Sequence, residues 1–357
     1  MKPRVIAFYL PQFHPTPEND EWWGKGFTEW TNVAKARPLY LGHYQPKIPT
    51  DLGYYDLRVS ETREAQAELA KDAGIEGFCY WHYWFGNGKR LLERPFNEVL
   101  QSGKPDFPFC LGWANHSWYK KTWQPGNNGK LLIEQKYHGV SDIDDHFFSQ
   151  LNAFKDKRYL KVNDKPIFLI WDPLNLPNAN EFIDRWNRLA QENNLNGIFF
   201  IGFSVKSSNS QMIKNLGFDE VVLDLLSESF FYRHSLKKVY QRLLRHLFGV
   251  PKFLSYNDYA NYSRKIYNTL EDCCPCIVPN FDHTSRSGRL GLELRNSTPE
   301  NFGRLFEGII NSPNFKNSKN KILFIKSWNE WGEGNYLEPD IKFKDGYLNI
   351  IKKNILL

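Results

Sequence analysis

Along the chain, short apolar runs alternate with amphipathic stretches and polar connections. Val5–Leu10, Gly77–Trp81, Phe109–Gly112, Ile167–Ile170, Ile198–Gly202, Glu220–Leu223, Cys276–Pro279 and Ile322–Ile325 have the length and composition of buried strands. Helical periodicity falls between them, in Ser60–Ala73, Leu91–Gln101, Ile143–Phe154, Ala179–Asn194 and Ser210–Leu216, and after the last in Gly346–Asn354. Ser60 reads as an N-cap with Gly74 closing its helix, and Thr298 before Pro299 opens another that runs to Asn311. Strands that each lead into a helix or a longer connection imply a parallel sheet. Their number predicts an α/β chain folded as one (β/α)₈ TIM-type barrel over residues 1–357, with long βα loops. An open doubly wound sheet is the rival, but no G-x-G-x-x-G or Walker A loop is present. No internal repeat or inter-domain linker interrupts the pattern.

The polar residues gather where the strands end. The last strand runs into Ser327-Trp328-Asn329-Glu330-Trp331-Gly332-Glu333-Gly334, and Glu338-Pro339 follows. Strand C-termini are where barrel enzymes carry their chemistry. Residues three apart on a strand face opposite ways, so Glu330 and Glu333 converge only if the chain turns, which Gly332 and Gly334 permit. A solvated loop with a surface Glu pair is the plain alternative, and two interleaved tryptophans argue against it. The first strand leads to Gln12 and His14 and then a long connection holding Glu29 and Trp30, with no element predicted before Ser60. His82, Tyr83 and Trp84 follow the second strand, Asn115 and His116 the third, and Asp282 and Arg286 the seventh. As functional groups, the polar members would bind sugar hydroxyls and the tryptophans would stack on sugar rings. Arg286 would suit an anionic group. As structure, they would brace loops, fill core or close a rim salt bridge.

Composition narrows the picture. Of 357 residues, 16% are aromatic, including 12 Trp and 18 Tyr. Flat apolar faces with polar edges suit sugars, although an aromatic core would absorb many of the 27 Phe. The net charge of +6 is mild and implies no nucleic-acid partner. Basic residues cluster in 232–252, which reads as the solvated face of a helix or a peripheral contact with an anionic membrane. Five cysteines, three of them bunched at 273–276, give no disulfide framework and fit a reducing cytoplasm. No apolar leader or membrane-spanning run is read. No metal-ligand spacing such as H-E-x-x-H appears, and no metal or cofactor is expected.

Tyr9–Pro15, Trp23-Gly24, Gly26–Trp30, Tyr80–Trp84, Trp113–Asn115 and Trp328–Gly334 together resemble the WbsX-like family of bacterial O-antigen and capsule clusters, over nearly the whole chain. That family is similar in turn to glycoside hydrolase family 99, the endo-α-mannosidases and endo-α-mannanases. The second resemblance is looser and strongest at Asn329–Gly334. It implies that Glu330 takes a proton from the sugar 2-hydroxyl, whose oxygen attacks the anomeric carbon, while Glu333 protonates the leaving oxygen. Gly332 stands where those hydrolases typically have His. Asn329 and Trp331 would join the substrate contacts. The expected activity is cleavage or transfer of glycosidic bonds in a surface polysaccharide by a Glu pair. A sugar-nucleotide-dependent glycosyltransferase and a non-catalytic glycan-binding protein are the alternatives.

Overall fold

The computed structural model describes residues 2–120, 129–232, 235–271 and 273–356, with the side chains of 235–238 set aside. Parallel strands β1 (Arg4–Tyr9), β2 (Gly77–His82), β3 (Phe109–Trp113), β4 (Lys165–Ile170), β5 (Phe199–Ser204), β6 (Glu220–Asp224), β7 (Cys274–Ile277) and β8 (Ile322–Ile325) stand side by side. Each pairs with its chain neighbour, β1 pairs with β8 and β3 with β4, so the sheet closes into a (β/α)₈ barrel. The strands are buried on both faces and therefore read as continuous apolar runs.

Aromatic side chains fill the interior. Phe8 of β1 stacks on Trp81 of β2 at 4.6 Å and Phe324 of β8 at 5.1 Å. Above them Trp171 lies against Phe203 at 4.2 Å and Trp81 at 5.3 Å. Offset and edge contacts at these distances give a dense, stiff floor beneath the strand ends. A second cluster around Trp186 packs the helix Ala179–Glu192 onto β4 and β5.

The connection after β1 departs from the prediction. It contains two helices, Pro17–Trp23 and Glu29–Lys35, where none was read. Thr16 caps the first by accepting from Asn19 N, with Pro17 in its opening turn, and Thr28 forms a capping box with Thr31 at the second. The helix Ser60–Asp72 begins one residue early, with Val59 at the cap and no side-chain bond there, so Ser60 is not its N-cap. Strand β7 starts at Cys274, two residues before the predicted edge, because Cys274 pairs with Val222. Thr298 caps Pro299–Ile310 as read. After β6 the chain inserts helices Leu226–Phe231, Ser235–Phe248 and Tyr256–Thr269. Part of the predicted basic segment, Arg233 and His234, lies outside the described residues.

Candidate active site

The segment after β8 turns back on itself. Asn329–Glu330 pairs antiparallel with Asn335–Tyr336, and Trp331–Glu333 forms one 3₁₀ turn between them. Gly334 closes the turn at φ +56°, and a Cβ there would come within 2.9 Å of Asp282 Cβ. Gly332 has a different reason from the one expected. Its φ is ordinary, but a Cβ would collide with Glu29 Oε2 and stand 2.9 Å from Arg286 Nε. The absent side chain makes room for an ion pair.

Arg286 draws three connections together. From the short helix Thr284–Ser287 it donates through Nη1 to Glu333 Oε1 at 2.6 Å. Its Nη2 and Nε reach Glu29 Oε2 at 2.9 and 3.1 Å, from the first residue of the helix Glu29–Lys35. Burial disfavours the guanidinium charge, but Glu29, Glu333 and Glu330 outweigh it and raise the pKa. Ser285 Oγ donates to Gly332 O at 2.5 Å and ties the same short helix to the turn.

Glu330 is buried and accepts from Ser327 Oγ at 2.8 Å. Burial first, and the Glu333 charge next, push its carboxyl up to about 7, against the opposing pull of Lys326, Ser327 and Arg286. Lys326 Nζ lies 3.3 Å from Asp224 Oδ2 at the end of β6. Burial works against the ammonium, but Asp224, Glu333 and Glu330 hold its pKa above the usual value. Asp224, Glu330, Glu333 and Glu29 thus gather around Lys326 and Arg286, with His283 Nε2 3.9 Å from Glu333 Oε1. Glu330, whose hydrogen bond comes from a neutral hydroxyl, is the one pushed up. Tyr83 lies in the same field: burial, then Glu330, raises its phenol.

A cleft of about 440 Å³ opens beside this cluster. Gln12, Glu29, His116 and Arg286 line it, with Trp23, Phe27, Trp118 and Tyr119 as aromatic walls. Trp118 is held edge-on by Tyr83 at 5.0 Å and Phe85 at 5.5 Å. Trp23 packs on Phe27 at 5.8 Å yet remains 41% exposed. The volume and mixed lining are those of a small-ligand or sugar site. A second cavity of about 300 Å³ lies by Asp282, Tyr40 and Glu293. Its acids are already paired, Tyr40 OH donating to Glu293 at 2.6 Å. Among the described residues, no three His, Cys, Asp or Glu side chains are grouped as metal ligands.

The structure thus joins Gln12, Glu29, Tyr83, His116, Arg286, Glu330 and Glu333 of the sequence-predicted residues. The others are occupied in the scaffold. His14 is buried beside another cavity with Glu18, Arg90 and Arg94, and burial lowers its pKa. Trp30 donates to Tyr55 O at 2.7 Å and packs on Phe13, so it is core rather than a stacking platform. His82 and His146 share a 2.8 Å hydrogen bond, both with pKa values lowered by burial. Trp84 donates to Asp142 at 3.1 Å and stacks on His146 at 4.7 Å. Asn115 exchanges hydrogen bonds with the Asp172 backbone at 2.8 and 2.9 Å. Asp282 accepts from His43, Gln45 and Thr284, which fills its oxygens. Asn329 bonds both Leu10 N and Leu10 O, at 2.7 and 3.0 Å, extending β1 by a side chain. Trp331 is buried, donates to Glu338 at 2.5 Å and stacks on Tyr336 at 3.8 Å.

The family model for Glycosyltransferase WbsX matches residues 5–351. The chain belongs to the WbsX glycosyltransferase family. Two Xanthomonas campestris proteins named WxcX, from strains B100 and ATCC 33913, are each 32% identical over 375 residues. The alignments cover 98% of this chain and 49% of each relative, so the chain spans about half their length. Among solved structures, a glycoside hydrolase-like protein superposes with TM-score 0.61 at 15% identity, covering 100% of this chain and 94% of its own. The GH99 endo-alpha-mannosidase from Bacteroides thetaiotaomicron superposes with TM-score 0.58 at 15% identity, covering 99% and 96%. At that identity the likeness is one of fold. The family carries the name of a glycosyltransferase, and the fold is shared with a GH99 endo-alpha-mannosidase.

Several residues of this candidate site were not singled out from the sequence. Lys326 was hidden at the end of an apolar strand, although a lysine next to a run of carboxylates is itself a signal. Trp23 and Phe27 sit in the first connection, whose helices were not read, and Trp118 and Tyr119 on a short strand, Trp118–Lys120, that was not read either.

Proposed function

We propose that the protein cleaves or transfers glycosidic bonds of a bacterial surface polysaccharide, with Glu330 and Glu333 as its acid–base pair. One observation carries the reading: beside an aromatic cleft that Glu29 and Arg286 line, one of two neighbouring carboxyls is pushed up to about 7 while the other is held by Arg286. Environments that separate two carboxyls in this way divide acid from base. Gln12 and His116 offer hydrogen bonds to hydroxyls, and Trp23 and Trp118 offer faces for sugar rings. Glu29 and Arg286 fix Glu333. In the assignment implied by the family 99 resemblance, Glu330 removes the 2-hydroxyl proton, that oxygen closes on the anomeric carbon, and Glu333 protonates the departing oxygen. A carboxylate whose pKa is near 7 is a stronger base than an ordinary one and suits that first step.

The same observation favours a mirrored assignment, in which Glu330, half protonated at neutral pH, is the acid and the Arg286-held Glu333 carboxylate is the base. The family's name favours a further reading, transfer from a sugar nucleotide. Five free thiols suit a reducing compartment, and cytoplasmic action is part of the proposal.

The test is a time course with oligosaccharides of the cognate surface polysaccharide, without nucleotide sugar, read by mass spectrometry. Wild type should shorten or rearrange the chains. Glu330→Gln and Glu333→Gln should each slow this by about 10²–10⁴-fold. Turnover that starts only when a nucleotide sugar is supplied would overturn the glycosidase reading.

A further inference from the structure

We propose that the helix Ser235–Phe248 is a docking element for an anionic membrane surface. The helix is held to the body on one side. Gln241 is buried and donates to Phe253 O at 2.6 Å, while Leu244 and Arg245 are half-buried. The opposite side is apolar and faces water. Val239, Leu243 and Leu247 are 63%, 53% and 59% exposed. Four residues apart, they form one stripe, with Tyr240 and Phe248 exposed beside it. A surface helix of a globular protein normally turns its apolar stripe inward. An outward stripe of this size marks a contact surface.

Charge decides the occupant. Arg242 and His246 are exposed along one flank of the stripe. From Tyr232 to Lys252 the sequence contains no Asp or Glu. Two copies of this helix would set arginine against arginine, and a basic protein face would be repelled. An anionic lipid surface satisfies both features: the stripe enters the interface and the flanking cations meet the headgroups. Among the described residues no helix is long and apolar enough to cross a membrane, so the contact is peripheral. The insertion follows β6 and leaves the barrel at the C-terminal ends of the strands, the end that carries the Glu330–Arg286 cluster.

Co-sedimentation of the protein with phosphatidylcholine vesicles, with and without a third phosphatidylglycerol, tests the proposal. Wild type should pellet with the anionic vesicles only. Partitioning should fall about tenfold or more for Leu243→Ser/Leu247→Ser, and severalfold for Arg242→Gln or at raised salt. The substituted side chains are exposed, and unchanged melting temperatures would confirm folding. Wild type remaining in the supernatant, or variants that pellet like wild type, would overturn it. So would a dimer, seen by light scattering, that the leucine substitutions dissolve without any vesicle binding.

Discussion

Burial and the Glu333 charge set the protonation of Glu330, and its role can be read from pH. With its carboxyl at about 7, a base at this position makes kcat/KM rise with pH through that value, whereas an acid makes it fall. Glu330→Gln should abolish that limb in either case, and a limb near 7 that persists in the variant would assign the titration elsewhere. Gly332 gives a second prediction. Gly332→Ala puts a methyl where Glu29 Oε2 and Arg286 Nε now stand, so the ion pair must shift and Glu333 with it. Displacements of this kind cost about 10²-fold in rate. We expect such a loss in kcat with a folded protein by circular dichroism, and full activity would show that Arg286 does not position Glu333. The carboxylate pair was legible because both members lie in one loop after a strand. The contact of Arg286 with Glu333 was not. Arg286 and Glu29 are 257 positions apart, and nothing local tells a rim salt bridge from a bridge to Glu333.

The element that presents the pair is a tight reversal braced from below. Asn329 completes both backbone bonds of Leu10, and Glu338 gathers Gln66, Tyr55 and Trp331 at 2.6, 2.9 and 2.5 Å. Asn329 read as a ligand of the sugar because Asn at a strand end is a common hydrogen-bonding group. Its real partner, the backbone of Leu10 just past β1, appears only once the barrel closes β1 onto β8. Asn329→Ala would leave a buried N–H and C=O without partners and should cost about 2–4 kcal/mol, measured by urea denaturation. A change under about 0.5 kcal/mol would mean that water replaces the side chain. The first connection shows the converse. Thr16-Pro17 and Thr28 were local helix-start signals, yet the short helices they open carry no apolar stripe, with Trp30 buried and Trp23 exposed. Periodicity therefore missed them, and with them Trp23 and Phe27 of the cleft. The strands were easier to read, because burial on both faces makes each a plain apolar run.

For the whole molecule, burial of ionisable groups sets a pH dependence of stability with two opposing parts. Glu330 and Glu338 both have folded pKa values of about 7, raised chiefly by burial above an ordinary value of 4.5. The folded state therefore holds their protons more tightly than the unfolded chain. Stability from these two is fully present below about 4.5 and is lost as pH rises to about 7. His14, His82 and His146 are shifted the other way, lowered from 6.5 mainly by burial. Their contribution is present above 6.5 and is lost as pH falls. The two sets overlap, so the wild-type profile should be shallow between pH 5 and 7. Glu338→Gln separates them. The amide cannot accept from all three of its donors, which shifts the curve by a constant amount. What it removes with pH is one titrating carboxyl. Wild type minus variant should then change by up to about 1.4 kcal/mol per pH unit, about 3 kcal/mol across the window, with the variant gaining relative to wild type as pH rises. Urea midpoints at pH 5, 6, 7 and 8 would show it. A difference constant across that range would mean that Glu338 is ionised in the fold, held by its three donors against the burial that pushes it up.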